Sequence, residues 1–184
     1  MKKVLITAFA VCSSLATDKI GFVFEIVRHG ARNTYMLDGN WTNGFPVGPE
    51  MLTPQGMRQR YLLGRYARQK YSVDYDLLDP DFVQDQVYCQ STDVDRTMQS
   101  CYSELMGVYP PSESGAFELA SGEQKSISSG RGMPQLSIAN ANEINAALGN
   151  EAVPNGFVSV PVYTFKNLAV EDDLQYNGCK FVHD

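Results

Sequence analysis

Basic runs, histidine and long apolar stretches are all scarce in this 184-residue chain, and each scarcity removes a class of function. No run of Lys or Arg occurs, and 15 basic against 21 acidic residues leave a formal net charge of -6. Such a chain offers no track for a polyanion, so nucleic acid is not an expected partner. Histidine occurs only as His29 and His183, and no two cysteines have ligand spacing, so no metal site and no cofactor are expected. After the first residues no segment is apolar for the roughly 18 or more residues that a membrane-spanning helix needs.

With 43% hydrophobic and 20% charged residues, the chain has the composition of one globular domain. Its start, Met1-Lys2-Lys3 followed by the apolar run Val4–Cys12 and the small residues around Ser14-Leu15-Ala16, reads as a secretory signal over residues 1–16. Removing Lys2 and Lys3 with it takes the formal charge from -6 to about -8. Asn40-Trp41-Thr42 is a glycosylation sequon, which fits a secreted or lumenal route. Cys12 would leave with the signal, so Cys89, Cys101 and Cys179 remain. An odd count predicts either one free thiol or a partner outside this sequence.

The residues with the most chemistry are Arg28-His29-Gly30-Ala31-Arg32. They follow Ile20–Glu25, an apolar run that predicts a buried strand. A strand end is where open α/β sheets bind ligands. Two guanidiniums can fork onto phosphate oxygens while the imidazole between them attacks or takes a proton. Residues 33–52, rich in Gly, Asn and Pro, predict a long loop. Its Tyr35, Trp41 and Phe45 either wall a pocket or cover a sheet edge.

Thr53-Pro54 predicts a helix to about Tyr71, with Met57, Tyr61, Gly64 and Ala67 inward and Arg58, Arg65, Arg68 and Gln69 on a solvated face. Val87–Ser91 predicts a second strand. Ser91–Thr97 then supplies capping side chains to a helix with apolar positions 94, 98, 101, 105 and 108. Cys89 and Cys101 read as buried thiols. Arg96 lies in the first turn of that helix, where a cation opposes the macrodipole and makes sense beside a bound anion. Asp93 and Asp95 are the alternative partners. Residues 112–156 are polar and turn-rich, a surface excursion or cap with a short helix over 138–148. Phe157–Phe165 predicts a strand edged by Pro161. Glu171-Asp172-Asp173 predicts a solvated acidic turn.

These motifs resemble the histidine acid phosphatases of the prostatic and lysosomal type. The resemblance rests on Val27–Arg32, Leu52–Met57, Ser91–Thr97, Tyr109-Pro110-Pro111, Val160–Tyr163 and Asn177–Phe181. The first motif is shared with phosphoglycerate mutases and phytases, whereas Ser-Thr-Asp-Val-Asp-Arg-Thr is specific to the acid phosphatase branch. The resemblance implies a three-layer α/β fold with a mostly parallel central sheet of the phosphoglycerate-mutase-like type, and residues 17–184 as the N-terminal part of that domain. It also implies hydrolysis of phosphate monoesters through a phosphohistidine on His29, with Arg28, Arg32 and Arg96 binding the phosphate. Members of the prostatic type are dimers, so a homodimer is an expectation.

In that family a His-Asp pair from the C-terminal half supplies the general acid. Val182-His183-Asp184 stands far earlier and lacks the small-residue, strand-end context. The general acid is therefore expected beyond Asp184, and the fold is expected to be incomplete at its C-terminal end. The family counterpart of Cys179 bridges to a cysteine near the C-terminus, which agrees. The runner-up is a truncated, non-catalytic, secreted protein that binds phosphate ligands.

Overall fold

The computed structural model describes residues 19–34 and 44–165, apart from residues 112, 116, 133, 135 and 136. The expectations for residues 1–16, Tyr35, Asn40, Trp41, the acidic turn at 171–173, Cys179 and His183-Asp184 lie outside the described residues.

Helix α1 (Pro54–Arg68) begins as its sequence dictates. Thr53 is extended, its hydroxyl accepts from the Gly56 amide at 3.0 Å, and Pro54 fills the first helical position, where no amide hydrogen is needed. A π-helical turn, Gln69–Asp74, continues it. Strand β1 (Cys89–Thr92) leads into helix α2 (Asp95–Val108). The polar excursion carries two short helices, α3 (Ser121–Ser128) and α4 (Ala141–Leu148), which contain no buried residue. An antiparallel bridge between Glu118 and Glu151 closes its base. Strand β2 (Val162–Phe165) then pairs in parallel with β1, from Cys89–Val162 to Thr92–Phe165.

The core lies between α2 and the sheet. Ala67, Leu105, Val108, Tyr109, Val158 and Val160 are buried together, with Phe82, Val87 and Cys89 packed against them. Phe82 meets Tyr109 edge-on at 5.5 Å between ring centroids, a favourable quadrupole arrangement. Helices α1 and α2 cross where Gly64 faces Gly107. A Cβ on Gly64 would run into the Glu104 carbonyl, and one on Gly107 into that of Tyr61. Backbones this close need glycine on both sides. Beside the crossing, Arg60 is buried in an ion pair with Glu104.

Four expectations need correction. The run Ile20–Glu25 is not a ladder strand. Among the described residues it pairs with no neighbour, and Phe22 and Phe24 are 80% and 72% exposed. Its apolar character suits a strand covered on both faces, and the two strands described here pair with each other instead. The inward face of α1 is Gly56, Arg60, Gly64 and Ala67, while Met57 is exposed, because the paired Arg60 takes an interior place. Arg68 is not on a solvated face. It donates from Nη1 to the Pro80 and Val108 carbonyls and from Nη2 to that of Glu113, which completes the C-terminal end of α2. Helix α2 is also capped differently: Val94 occupies the cap position and makes no side-chain hydrogen bond there.

Candidate active site

The Arg28–Arg32 segment is fixed against the start of α1 by short-range backbone chemistry. Thr53 donates to the Ala31 carbonyl from both its amide, at 2.9 Å, and its hydroxyl, at 2.8 Å. The Asn33 amide donates to Met51 and the Glu50 amide to Thr34, at 2.9 and 3.2 Å, around a bridge between Arg32 and Leu52. A Cβ on Gly30 would collide with the Gly56 carbonyl. Gly30 is therefore required for close approach. Gln59 accepts from the Ala31 amide at 3.0 Å, so α1 holds the motif from a second point.

His29 lies half-buried in a cleft of about 590 Å³ lined by residues 28–34. Its Nδ1 is 2.7 Å from the Gly30 carbonyl. A carbonyl can only accept, so in the neutral ring the proton is on Nδ1 and the lone pair on Nε2, facing away from that bond. Arg28 and Arg32 line the same cleft, with Arg32 donating to the Asn33 carbonyl at 2.9 Å. Those three predicted residues are together.

Arg96 stands in a second hollow of about 250 Å³, beside Glu50, Met51, Asp95 and Gln99. Its Nη1 is 3.5 Å from a Glu50 carboxylate oxygen, and its Nε is buried with no hydrogen-bond partner. A guanidinium with one long ion pair and one unsatisfied donor, in the first turn of α2, is chemically incomplete. Both are deficits of the kind an oxyanion relieves. The two hollows are joined through Ser100, whose hydroxyl accepts from the Gly30 amide at 3.1 Å and donates to the Arg96 carbonyl at 2.7 Å. The Thr34–Glu50 backbone bond joins them a second time.

A model of the histidine phosphatase superfamily (branch 2) matches residues 19–175. The chain belongs to this superfamily. Human prostatic acid phosphatase is 37% identical over 101 residues, 53% of this chain and 25% of that protein. Human testicular acid phosphatase is 35% identical over 111 residues, 57% of the chain and 25% of the relative. For human lysosomal acid phosphatase the figures are 38% over 93 residues, 49% and 21%. The matched part thus spans about a quarter of the length of these histidine phosphatases.

Glu50, Ser100, Gln59 and the second role of Thr53 escaped the sequence. Glu50 is a non-glycine residue at φ 60°, a left-handed conformation that its residue type does not advertise. Among the described residues no group of three or more His, Cys, Asp or Glu could hold a metal ion, and no helix is long and apolar enough to cross a membrane.

Proposed function

We propose that the protein acts on phosphate monoesters as a histidine acid phosphatase. The reading is carried by His29, whose Nδ1 proton is bound to the Gly30 carbonyl in a cleft shared with Arg28 and Arg32. Nε2 attacks phosphorus in line with the departing alcohol, giving a phosphohistidine. Water then attacks that intermediate, releasing inorganic phosphate and restoring the imidazole. Arg28 and Arg32 neutralise charge on the equatorial oxygens. Arg96 joins them once phosphate replaces Glu50 as its counter-ion. Each charge-assisted hydrogen bond contributes about 1.5–3 kcal/mol, so losing one arginine weakens phosphate binding roughly 10- to 100-fold.

The alcohol needs a proton as it leaves, a contribution of about 10²–10⁴-fold in rate. That acid belongs to a His-Asp pair expected beyond Asp184. The proposal places residues 1–16 as a signal, 17–184 as the N-terminal part of the phosphatase domain and 112–156 as its cap, with a glycan on Asn40. It places the product in a secreted or lysosomal setting, with a second copy as a possible partner.

The test is to mix the protein rapidly with a ³²P-labelled aryl phosphate and denature it in alkali, where phosphohistidine survives. Wild type retains label and His29→Ala retains none. Label on the variant would remove His29 as nucleophile. Phosphate binding without any label in wild type would favour the non-catalytic binder.

A further inference from the structure

Cys89 and Cys101 have no part in the phosphate chemistry, yet their thiols meet. Cys89 opens β1 and packs against the core cluster that contains Leu105. Cys101 stands one turn before Leu105 on α2, so the two share a helix face. The Cys101 thiol lies within interaction range of the Cys89 thiol and the Ser91 hydroxyl. Those two residues alternate with Gln90 along β1 and so point to the same side of the strand. Strand face and helix face thus turn the two cysteines towards each other where β1 packs on α2. Both cysteines are free and half-buried, so a small thiol reagent can reach them.

We propose that Cys89 and Cys101 form a thiol–disulfide site that clips β1 to α2, with a small disulfide such as oxidised glutathione as the oxidant. The two cysteines have different roles. The neighbouring Cys89 thiol, with help from Ser91 and the nearby Arg60 guanidinium, pulls the Cys101 thiol down to about 7, against desolvation. The same contact and burial push Cys89 well up. Cys101 is therefore the thiolate that attacks. Its sulfur bonds to one glutathione sulfur and the other leaves as a thiol. The Cys89 sulfur, giving up its proton, then attacks Cys101 Sγ and expels the second glutathione. Two protein thiols become one disulfide, and one glutathione disulfide becomes two thiols.

The clip spans the segment that carries Thr92, Thr97 and Arg96. A covalent bond from the strand to the second turn of α2 holds the ends of the Arg96 loop together. Cys179 is then the odd cysteine of the chain after signal removal.

The experiment uses the full chain, equilibrated in a glutathione redox buffer, blocked with an alkylating reagent and digested with trypsin. Cleavage after Arg96 puts Cys89 on peptide 71–96 and Cys101 on peptide 97–125. The expected result is one linked pair of these peptides, lighter by two hydrogens than their sum and separated by reductant. In Cys89→Ser, Cys101 should instead carry one glutathione. Peptides 71–96 and 97–125 recovered apart from oxidised wild type, free or glutathionylated, would overturn the proposal. So would either of them found linked to Cys179. This readout does not depend on phosphatase activity.

Discussion

At the scale of single residues, the site turns on how each arginine is occupied. Arg32 is engaged with a backbone carbonyl, whereas Arg96 faces Glu50 across 3.5 Å. In the proposed reaction a carboxylate at that spot competes with phosphate for the same guanidinium. Glu50→Gln removes the competing charge while keeping the shape, so inorganic phosphate should bind several-fold tighter by titration calorimetry. Unchanged or weaker binding would mean that Glu50 supports the site. Arg28, His29 and Arg32 drew attention because they crowd around one of two histidines, and Arg96 because a cation stands in the first turn of a helix. Glu50 and Ser100 were not. A single Glu in a Gly/Pro loop and a Ser inside a helix have ordinary solvated readings, and only the third dimension brings them to Arg96 and Gly30.

At the scale of elements, two contacts set what the helices can tolerate. Gly64→Ala places a methyl group against the Glu104 carbonyl at the α1–α2 crossing. The helices must separate, and overpacking of this kind costs about 1–3 kcal/mol. A lowered denaturant midpoint with an unchanged m-value is the expected result, and a neutral outcome would show that the crossing has slack. The π-helical turn after α1 presents Tyr71, whose hydroxyl donates to Glu25 at 2.6 Å and ties down the 20–25 run. The Glu25 carboxylate, with burial, pushes the Tyr71 hydroxyl from 10.0 up to about 12. In the unfolded chain the tyrosine ionises first. The stability from this contact is therefore complete below pH 10 and is lost as pH rises towards 12. The melting temperatures of wild type and Tyr71→Phe should differ at pH 9 and converge as the pH approaches 12. A gap that stays constant would mean that it does not come from the titrating Tyr71–Glu25 contact. Thr53-Pro54 marked the start of α1 unambiguously, because capping is local chemistry. The inward place of Arg60 was not readable, since its partner Glu104 comes from another helix.

At the scale of the whole molecule, sequence patterns predicted the kinds of element better than their partners. Parallel pairing of β1 with β2 was consistent with the α/β reading, but Ile20–Glu25 showed its limit. Apolar content says that a segment wants cover and not what covers it. The strip of Phe22, Phe24 and Ile26 remains open among the described residues. Family membership supplies the wider frame, and the parts described here fit it as a parallel sheet with four helices.

The bond from Thr53 to Ala31 has a consequence for the order in which the protein assembles. Its partners are 22 positions apart, whereas Cys89 and Val162 in the sheet are 73 apart. Closing the longer loop costs about 1 kcal/mol more in chain entropy, and contacts with large sequence separation form slowly. The His29 side of the cleft should therefore take shape while β2 is still unpaired. Pulse-labelled hydrogen exchange during refolding should protect the Asn33 and Thr53 amides before those of β1. Simultaneous protection would place both in one cooperative step. On the ribosome the shorter loop also emerges first, so the cradle of His29 is ready before the sheet has its second strand.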